Sequence, residues 1–212
     1  MFPKNKPKLL DATLASESLQ KLSLKSKDGK TKISEIMEDF HENGILLAMV
    51  FFALPVAIPL PYPPGFTTIM GVPLMILSIQ MLLGSKKVRL PQKINDYEIK
   101  NSTLKMISDK IVPIVESIEK YIKPRLSFAK SVYCEQFIGL ACFIAAFAVA
   151  LPIPLTNAIP ALGITIMALG LLNRDGIIII AGFITSIVGL IIALSAMIAS
   201  WMAIKYLFYT IF

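Results

Sequence analysis

The polar side chains within the apolar part of this chain gather beside two proline-rich stretches. "PLPYPPGF" is followed by Thr67 and Thr68, and "LPIPLTN" ends in Thr156 and Asn157. Hydroxyl and amide side chains at a helix start can cap that helix or help its N–H groups to bind an anion. Two interpretations follow. Each stretch is a turn between two helices, with Thr68 or Asn157 as N-cap, or the two tips meet and bind an anionic or sugar-like headgroup.

The candidate binding residues are the prolines, the glycine and the polar residues of both stretches. Proline has no N–H, so a turn rich in proline leaves few donors unsatisfied at an apolar depth. The set is Pro59, Pro61, Pro64, Gly65, Thr67, Thr68, Pro152, Pro154, Thr156 and Asn157.

Catalytic and metal chemistry is not expected from this sequence. The apolar arms beside both tips carry no charged side chain and no histidine, and therefore no nucleophile–base pair and no proton relay. Cys134 and Cys142 lack metal-ligand spacing and are interpreted as small buried hydrophobic residues. We predict that the protein is not an enzyme and has neither a metal nor a cofactor.

Three charge-free runs must position the tips. They are 43 residues between Glu42 and Lys86, 38 between Glu135 and Arg174, and 28 over 177–204. Runs of about 20 apolar residues indicate membrane-spanning helices. The fold class is therefore predicted to be an all-α integral membrane protein.

The basic residues lie beside these runs. Of 21 Lys and Arg residues, eight precede Gly44 and eleven lie within 86–130, in a chain of net charge +7. The positive-inside rule places the N-terminus and this central linker in the cytoplasm, where anionic inner-leaflet lipids attract them. The distribution indicates a multi-pass protein whose partner is the lipid bilayer, and no nucleic-acid binding.

The first run is predicted to be a hairpin, since two cytoplasmic segments need an even number of crossings between them. Its arms, 45–60 and 66–83, reach about 24–27 Å as helices, against about 30 Å of hydrocarbon. The tip either just reaches the far interface or turns inside the membrane as a re-entrant hairpin.

The second run repeats the first. Residues 41–61 align with 134–154 without a gap and with nine identities, including Glu42 with Glu135, Pro59 with Pro152 and Pro61 with Pro154. Interrupted apolar segments at corresponding positions of two repeats are typical of transporters and mark their binding site. The repeats are predicted to be parallel because both start in the cytoplasm; a linker that crossed the membrane would make them inverted.

The chain is expected to have five segments. They are a basic, disordered cytoplasmic tail (1–30), repeat 1 with a short amphipathic helix and a hairpin (31–90), an amphipathic linker (91–133), the hairpin of repeat 2 (134–175) and a C-terminal transmembrane segment (176–212). The linker helix either lies along the membrane surface or packs on the cytoplasmic ends of the hairpins. One long C-terminal crossing is favoured over two short ones because no turn residues divide it.

Four charged residues at the cytoplasmic ends are candidate structural braces. Glu42 and Glu135 are expected to pair with nearby Lys or Arg, while Arg174 and Asp175 belong to the turn "NRDG". Gln80, the most polar residue deep in an arm, is expected to hydrogen bond between helices.

Stretches in both halves of the chain resemble the ExoD family of bacterial membrane proteins. The similarity lies in "PPGFTT" and the following "GVPLMILSIQMLLG", in "YIKPRLSF", and in "NAIPALGI" and "LLNRDG", over roughly residues 31–195. It implies a bacterial inner-membrane location and a link to exopolysaccharide production and to tolerance of alkaline conditions. It supplies no catalytic residues and no mechanism.

The expected function is non-enzymatic: assistance in moving or assembling a polysaccharide or a polyprenyl-linked sugar, with the paired tips as the site. The alternatives are a structural or regulatory subunit of a cell-envelope complex, docking through the linker, and a small-solute or ion transporter linked to alkaline tolerance. The lack of charge in the arms disfavours ion-coupled transport. Assembly into a homo-oligomer is left open.

Overall fold

The structure, a computed structural model, describes residues 29–38, 44–58, 65–85, 88–119, 126, 131–151 and 156–211. Side chains at 103, 104, 107, 108, 110, 111, 114, 118, 119, 203, 204 and 207–211 fall outside this description. The elements are β1 (Lys30–Lys32), α1 (Ile33–Glu38), α2 (Gly44–Ala57), α3 (Phe66–Leu82), α4 (Gln92–Asn95), β2 (Glu98–Lys100), α5 (Asn101–Glu119), α6 (Val132–Ala150), α7 (Ala158–Leu172) and α8 (Gly176–Ile211). The described chain is mostly helical, as predicted.

Two of these helices are long and apolar enough to cross a membrane: α6, with 19 residues, and the Gly176–Met202 part of α8, with 27. Helices α2, α3 and α7 are equally apolar but shorter, with 14, 17 and 15 residues. At 1.5 Å per residue these three reach only about 21–26 Å. The two arms of the first hairpin are therefore short, as the sequence predicts.

Four helices contact one another in a closed ring. Helix α2 packs on α3 and α7, and α6 packs on the same two helices, while α8 lies against α7 and α6. Helix α2 is buried on all its faces, and its Met49, Phe52 and Leu54 are among the largest fully buried side chains. A helix that is apolar all round belongs in the interior, and α2 is accordingly enclosed by its neighbours in this bundle.

Glycines bring α3 and α6 into backbone contact. A Cβ added to Gly71 would lie 2.7 Å from the Ala150 Cα, and one added to Gly139 would lie 2.7 Å from the Leu82 nitrogen. Both pairs fit one antiparallel register. Such approach needs a residue without a side chain, and small residues are the usual means of close packing between membrane helices.

The same device joins α7 to α8 along their shared length. Gly163 lies against Ser186, Gly170 against Ile179, Gly182 against Met167 and Gly189 against Pro160, and an added Cβ would come within 2.5–2.8 Å in each case. All four contacts fit a single antiparallel register. This register fixes the height of α7 on α8.

A two-stranded antiparallel ribbon stands at the end of the bundle from which the hairpins start, called the base here. Strands β1 and β2 pair Lys30 with Lys100 and Lys32 with Glu98, and the Ile33 amide donates to the Tyr97 carbonyl at 3.1 Å. The all-α prediction contains no such ribbon. Strands of three residues are too short to show the alternation by which a strand is recognised in a sequence.

The amphipathic linker helix is α5, and it packs on the base. Its Val115 is fully buried, and α5 contacts α2. Of the two predicted placements, these contacts correspond to packing on the ends of the hairpins. The helix continues through Pro113 without interruption.

The C-terminal segment is one continuous helix of 36 residues. Its buried side is a narrow stripe of small residues and one isoleucine, namely Gly176, Ile179, Gly182, Ser186, Gly189 and Ala193. Beyond Ala193 the described side chains of α8 are exposed or half-buried. No turn divides the helix, in agreement with the prediction of one long segment.

Candidate functional site at the hairpin tips

Asn157 ties the start of α7 to the end of α6. Its side-chain Nδ2 donates to the Val149 carbonyl at 3.1 Å and to the Leu151 carbonyl at 2.9 Å, while its Oδ1 accepts from the Thr156 hydroxyl at 3.2 Å. Asn157 and Thr156 are both buried. Because the last carbonyls of a helix lack partners within it, the Asn157 amide supplies the donors that the end of α6 needs.

Thr68 reaches the same place from the other hairpin. Its hydroxyl donates to the Ala150 carbonyl at 2.9 Å, between the two carbonyls that Asn157 binds. Gly71, one turn further along α3, lies against the Ala150 backbone. The structure thus brings polar residues of both tips onto three successive carbonyls, and we call Thr68, Thr156, Asn157 and the carbonyls of 149–151 the tip network.

The predicted N-caps need correction. The N-cap of α3 is Gly65, with φ +85°, and Thr68 lies inside the first turn. Asn157 does stand at the N-cap position of α7, but its side chain makes no bond to that helix. Both polar side chains bind α6 instead, and the left-handed backbone at Gly65 favours glycine, which has no Cβ to clash.

The remaining candidate residues divide into two groups. Gly65 and Thr67 are half-buried beside the start of α3. Pro59, Pro61, Pro64, Pro152 and Pro154 lie outside the described residues.

The chemistry of the tip network follows from which groups are already used. Both N–H groups of the Asn157 amide and the Thr68 hydroxyl proton go to backbone carbonyls. Hydroxyl and carbonyl oxygens keep further lone pairs, so the capacity that is left is that of an acceptor. Acceptors suit the hydroxyl groups of a sugar better than the oxygens of a phosphate.

The brace candidates at the base serve different purposes. Asp175 is buried, and its Oδ1 accepts from the Ile177 amide at 3.0 Å and from the Ile178 amide at 3.4 Å, so it caps α8. Arg174 is exposed with φ +56°, and Glu135 is exposed in the first turn of α6. Glu42 lies outside the described residues, and no ion pair of Glu135 or Arg174 is found within the described part of the chain.

The sequence led us to expect that Gln80 would hydrogen bond between two helices, but its side chain binds the backbone of Arg89 instead. Its side-chain Nε2 donates to the Arg89 carbonyl at 2.5 Å, and its Oε1 accepts from the Arg89 amide at 2.7 Å. The Gln80 amide thus binds both the N–H and the carbonyl of Arg89, as a residue of a neighbouring β-strand does. It fixes the chain that leaves α3.

An apolar groove of about 390 Å³ opens between the first turns of α6 and α8, at the base. Its walls include Tyr133, Cys134, Phe137 and Phe183, and the rings of Phe137 and Phe183 lie 5.5 Å apart. It lies some 20 Å along α6 from the tip network, by the helical rise. The groove and the tip network are therefore separate features.

Sequence reasoning missed one buried polar atom. The Ser186 hydroxyl is buried against Gly163 and has no hydrogen-bond partner among the described residues. The spacing of Gly182, Ser186 and Gly189 signals a close helix contact in retrospect, because small residues recur on one face. No group of three or more His, Cys, Asp or Glu that could hold a metal occurs in the described ranges.

This chain is similar to one protein family and to two proteins of known sequence. The profile of the family described as "Exopolysaccharide synthesis, ExoD" matches residues 15–195. Protein ExoD of Rhizobium meliloti is 30% identical over 155 residues, which are 71% of this chain and 64% of that protein. An uncharacterized protein of Synechocystis is 30% identical over 174 residues, 81% of this chain and 82% of that one. The chain thus spans less than two thirds of the Rhizobium protein, and no solved structure matches it.

Proposed function

Because the chain belongs to the ExoD family of exopolysaccharide-synthesis proteins, we propose that it is an inner-membrane protein that assists the movement or assembly of a polysaccharide or its lipid-linked precursor. The family and the apolar helices indicate a membrane protein with a part in exopolysaccharide synthesis. The hairpin tips are the proposed site, and the protein acts there by binding, without catalysis.

The observation that carries the proposal is the hydrogen bond from Thr68 of one hairpin to the Ala150 carbonyl of the other. It joins two hairpins in which the arms α2, α3 and α7 are shorter than an ordinary spanning helix. Polar groups held in an apolar part of a membrane protein are costly unless they are paired, and they commonly mark substrate paths. A sugar hydroxyl could donate to the oxygens of this network.

The arrangement of contacts supports a repeat. Exchanging the two hairpins exchanges α2 with α6 and α3 with α7, and it turns the α3–α6 contact into the α7–α2 contact. Both contacts are present. Transporters built from two repeats place their substrate where the repeats meet, which in this chain is the tip network.

Reconstitution in liposomes tests this function. Vesicles containing the protein and a fluorescent polyprenyl-phosphate sugar are expected to expose the sugar on both leaflets faster than protein-free vesicles. Thr68→Val removes the donor that joins the hairpins and is expected to lower that rate. Thr185→Val is the matched control, since Thr185 lies on α8 away from the tips and its hydroxyl donates to the Ala181 carbonyl of the same helix at 2.8 Å. Movement no faster than in empty vesicles would refute the proposal.

A structural or regulatory role in an envelope complex is the second candidate. The ribbon at the base exposes Lys30, Lys32 and Lys100, while Thr31 and Ile99 are more buried. Lys30 pairs with Glu98 at 3.1 Å and Lys32 with Asp96 at 3.8 Å, and no ion pair of Lys100 is found among the described residues. Lysines directly opposite each other repel, so an acidic partner would stabilise this surface. Stoichiometric co-purification of a protein, lost in a Lys30→Glu/Lys100→Glu variant, would favour this role. A solute or ion transporter has less support, because the described arms α2, α3 and α7 carry no charged side chain.

A further inference from the structure

The position of the tip network along α8 follows from the contacts between α7 and α8. The register of the four α7–α8 contacts, extended by one turn beyond Pro160 and Gly189, places the 156–157 turn beside Ala193. Ala193 is also the last buried residue among the described side chains of α8. Thr68 of the first hairpin reaches this height, because its hydroxyl bonds to the Ala150 carbonyl at the end of α6. Helix α3 begins at Phe66, five residues before Gly71, and so starts about 7.5 Å beyond Ala150.

Helix α8 does not stop at that height. It continues for 18 residues, from 194 to 211, which add about 27 Å. The first charge after Ala193 is Lys205, and Trp201 and Tyr206 stand beside it. Aromatic and basic residues in this combination mark a membrane–water interface. By the helical rise, Trp201 lies about 12 Å and Lys205 about 18 Å beyond the tips.

The last part of α8 exposes large apolar side chains, which suit contact with lipid chains. Leu194, Ile198, Met202 and Tyr206 are exposed, with fractions that rise from 54% to 76%. A soluble environment would leave these large side chains in water, at a cost proportional to their area. Hydrocarbon removes that cost.

We infer that the tip network lies inside the membrane, about 12 Å short of the interface that Trp201 marks, and that the second hairpin, whose described residues end at this height, is re-entrant. Among the described helices, α8 alone continues to that interface. A sugar can then meet the tip network only after entering the depth of the hydrocarbon, which requires that it be carried on a lipid. The inference rests on the proposed function for the membrane location and for the substrate class it narrows.

A ladder of cysteines on α8 tests the depth without altering the tips. In a Cys134→Ser/Cys142→Ala background, the single variants L194C, I198C, M202C and Y206C place one thiol every four residues, about 6 Å apart, on exposed positions. Each is treated with a membrane-impermeant maleimide in right-side-out and in inverted vesicles, and again after detergent solubilisation. Detergent should make all four react, because all four are exposed on the protein.

We expect Y206C to react in intact vesicles of one orientation and L194C to be protected in both, with at least a tenfold difference in rate. Equal rapid reaction of L194C and Y206C would put the tips at the interface and overturn the inference. Protection of all four would overturn it too, since α8 would not reach the surface at Tyr206. The labelling needs no substrate, so a failed transport assay leaves its result unchanged.

Discussion

Two side chains of the tip network, those of Thr68 and Asn157, supply hydrogen-bond donors to the last carbonyls of α6. Asn157 uses both of its amide protons there, and Thr68 uses its only one. A buried carbonyl that loses its donor costs about 1–3 kcal/mol. These two residues therefore act on the joint between the hairpins as well as on any ligand.

Asn157→Leu should destabilise the folded protein. The change keeps the size of the side chain but removes two donors, so we expect a loss of about 2 kcal/mol or more. The fully buried Cys142 reports unfolding when a thiol-reactive fluorophore is added during a thermal ramp in detergent, in a Cys134→Ser background. Thr67→Val, one residue before Thr68, is expected to leave the melting temperature unchanged. Equal melting of Asn157→Leu and the parent would contradict the assigned hydrogen bonds.

Helix starts and helix contacts are the features that matter at the scale of elements. Helix α8 begins at an Asp175 cap, and it is held to α7 by glycines on both helices. Neither feature depends on the tips. Changes at these positions can therefore separate the stability of the bundle from the activity of the site.

Asp175→Ala should weaken the start of α8 by about 1 kcal/mol, the usual value of an N-cap. Asp175→Ser can still accept from the amides of 177 and 178 and should recover most of that loss. Thermal unfolding followed by the Cys142 thiol measures both variants. If serine and alanine proved equally harmful, capping would not be the role of this side chain.

Gly163→Ala should separate α7 from α8. The added Cβ would lie 2.7 Å from the Ser186 Cα, and overpacking of this kind costs about 1–3 kcal/mol. Ala181→Leu enlarges an exposed position of α8 and serves as the control. Melting temperatures in detergent are expected to fall for Gly163→Ala alone, and an unchanged value would show that the two backbones are further apart than described.

At the scale of the whole molecule, the base, the tips and the end of α8 stand at three heights. The apolar groove and the ribbon belong to the base, the tip network lies about 20 Å above the groove, and α8 continues beyond. Several helices surround α8 up to the tip network, and beyond the start of α3 it is the one described helix that continues.

The one tryptophan of the chain can measure these heights. Trp201 is 70% exposed, and we expect spin labels near the lipid headgroup to quench its fluorescence more than labels deep in the acyl chain. In a Trp201→Phe/Leu194→Trp variant the order should reverse, because the probe moves about 10 Å along α8. The same quenching order for both proteins would mean that α8 lies along the membrane instead of crossing it.

Local residue patterns predict many of the helices and the breaks between them. Charge-free runs gave the apolar helices, and the proline stretches gave the breaks between α2 and α3 and between α6 and α7, because proline and the lack of charge act on the chain where they occur. The undivided C-terminal helix followed from the absence of turn residues. Strands of three residues and the pairing of Gln80 with Arg89 gave no periodic signal and were missed.

The sequence alone determined long charge-free apolar runs, which indicate a helical membrane protein, and polar groups beside two proline-rich stretches. Only the tertiary structure decided that Thr68 and Asn157 bind the end of α6 rather than cap their own helices. It also decided the height of the tips on α8. The physical reason is that donors and small residues are visible in a sequence, whereas the carbonyl or backbone they meet is selected by packing between helices far apart in the chain.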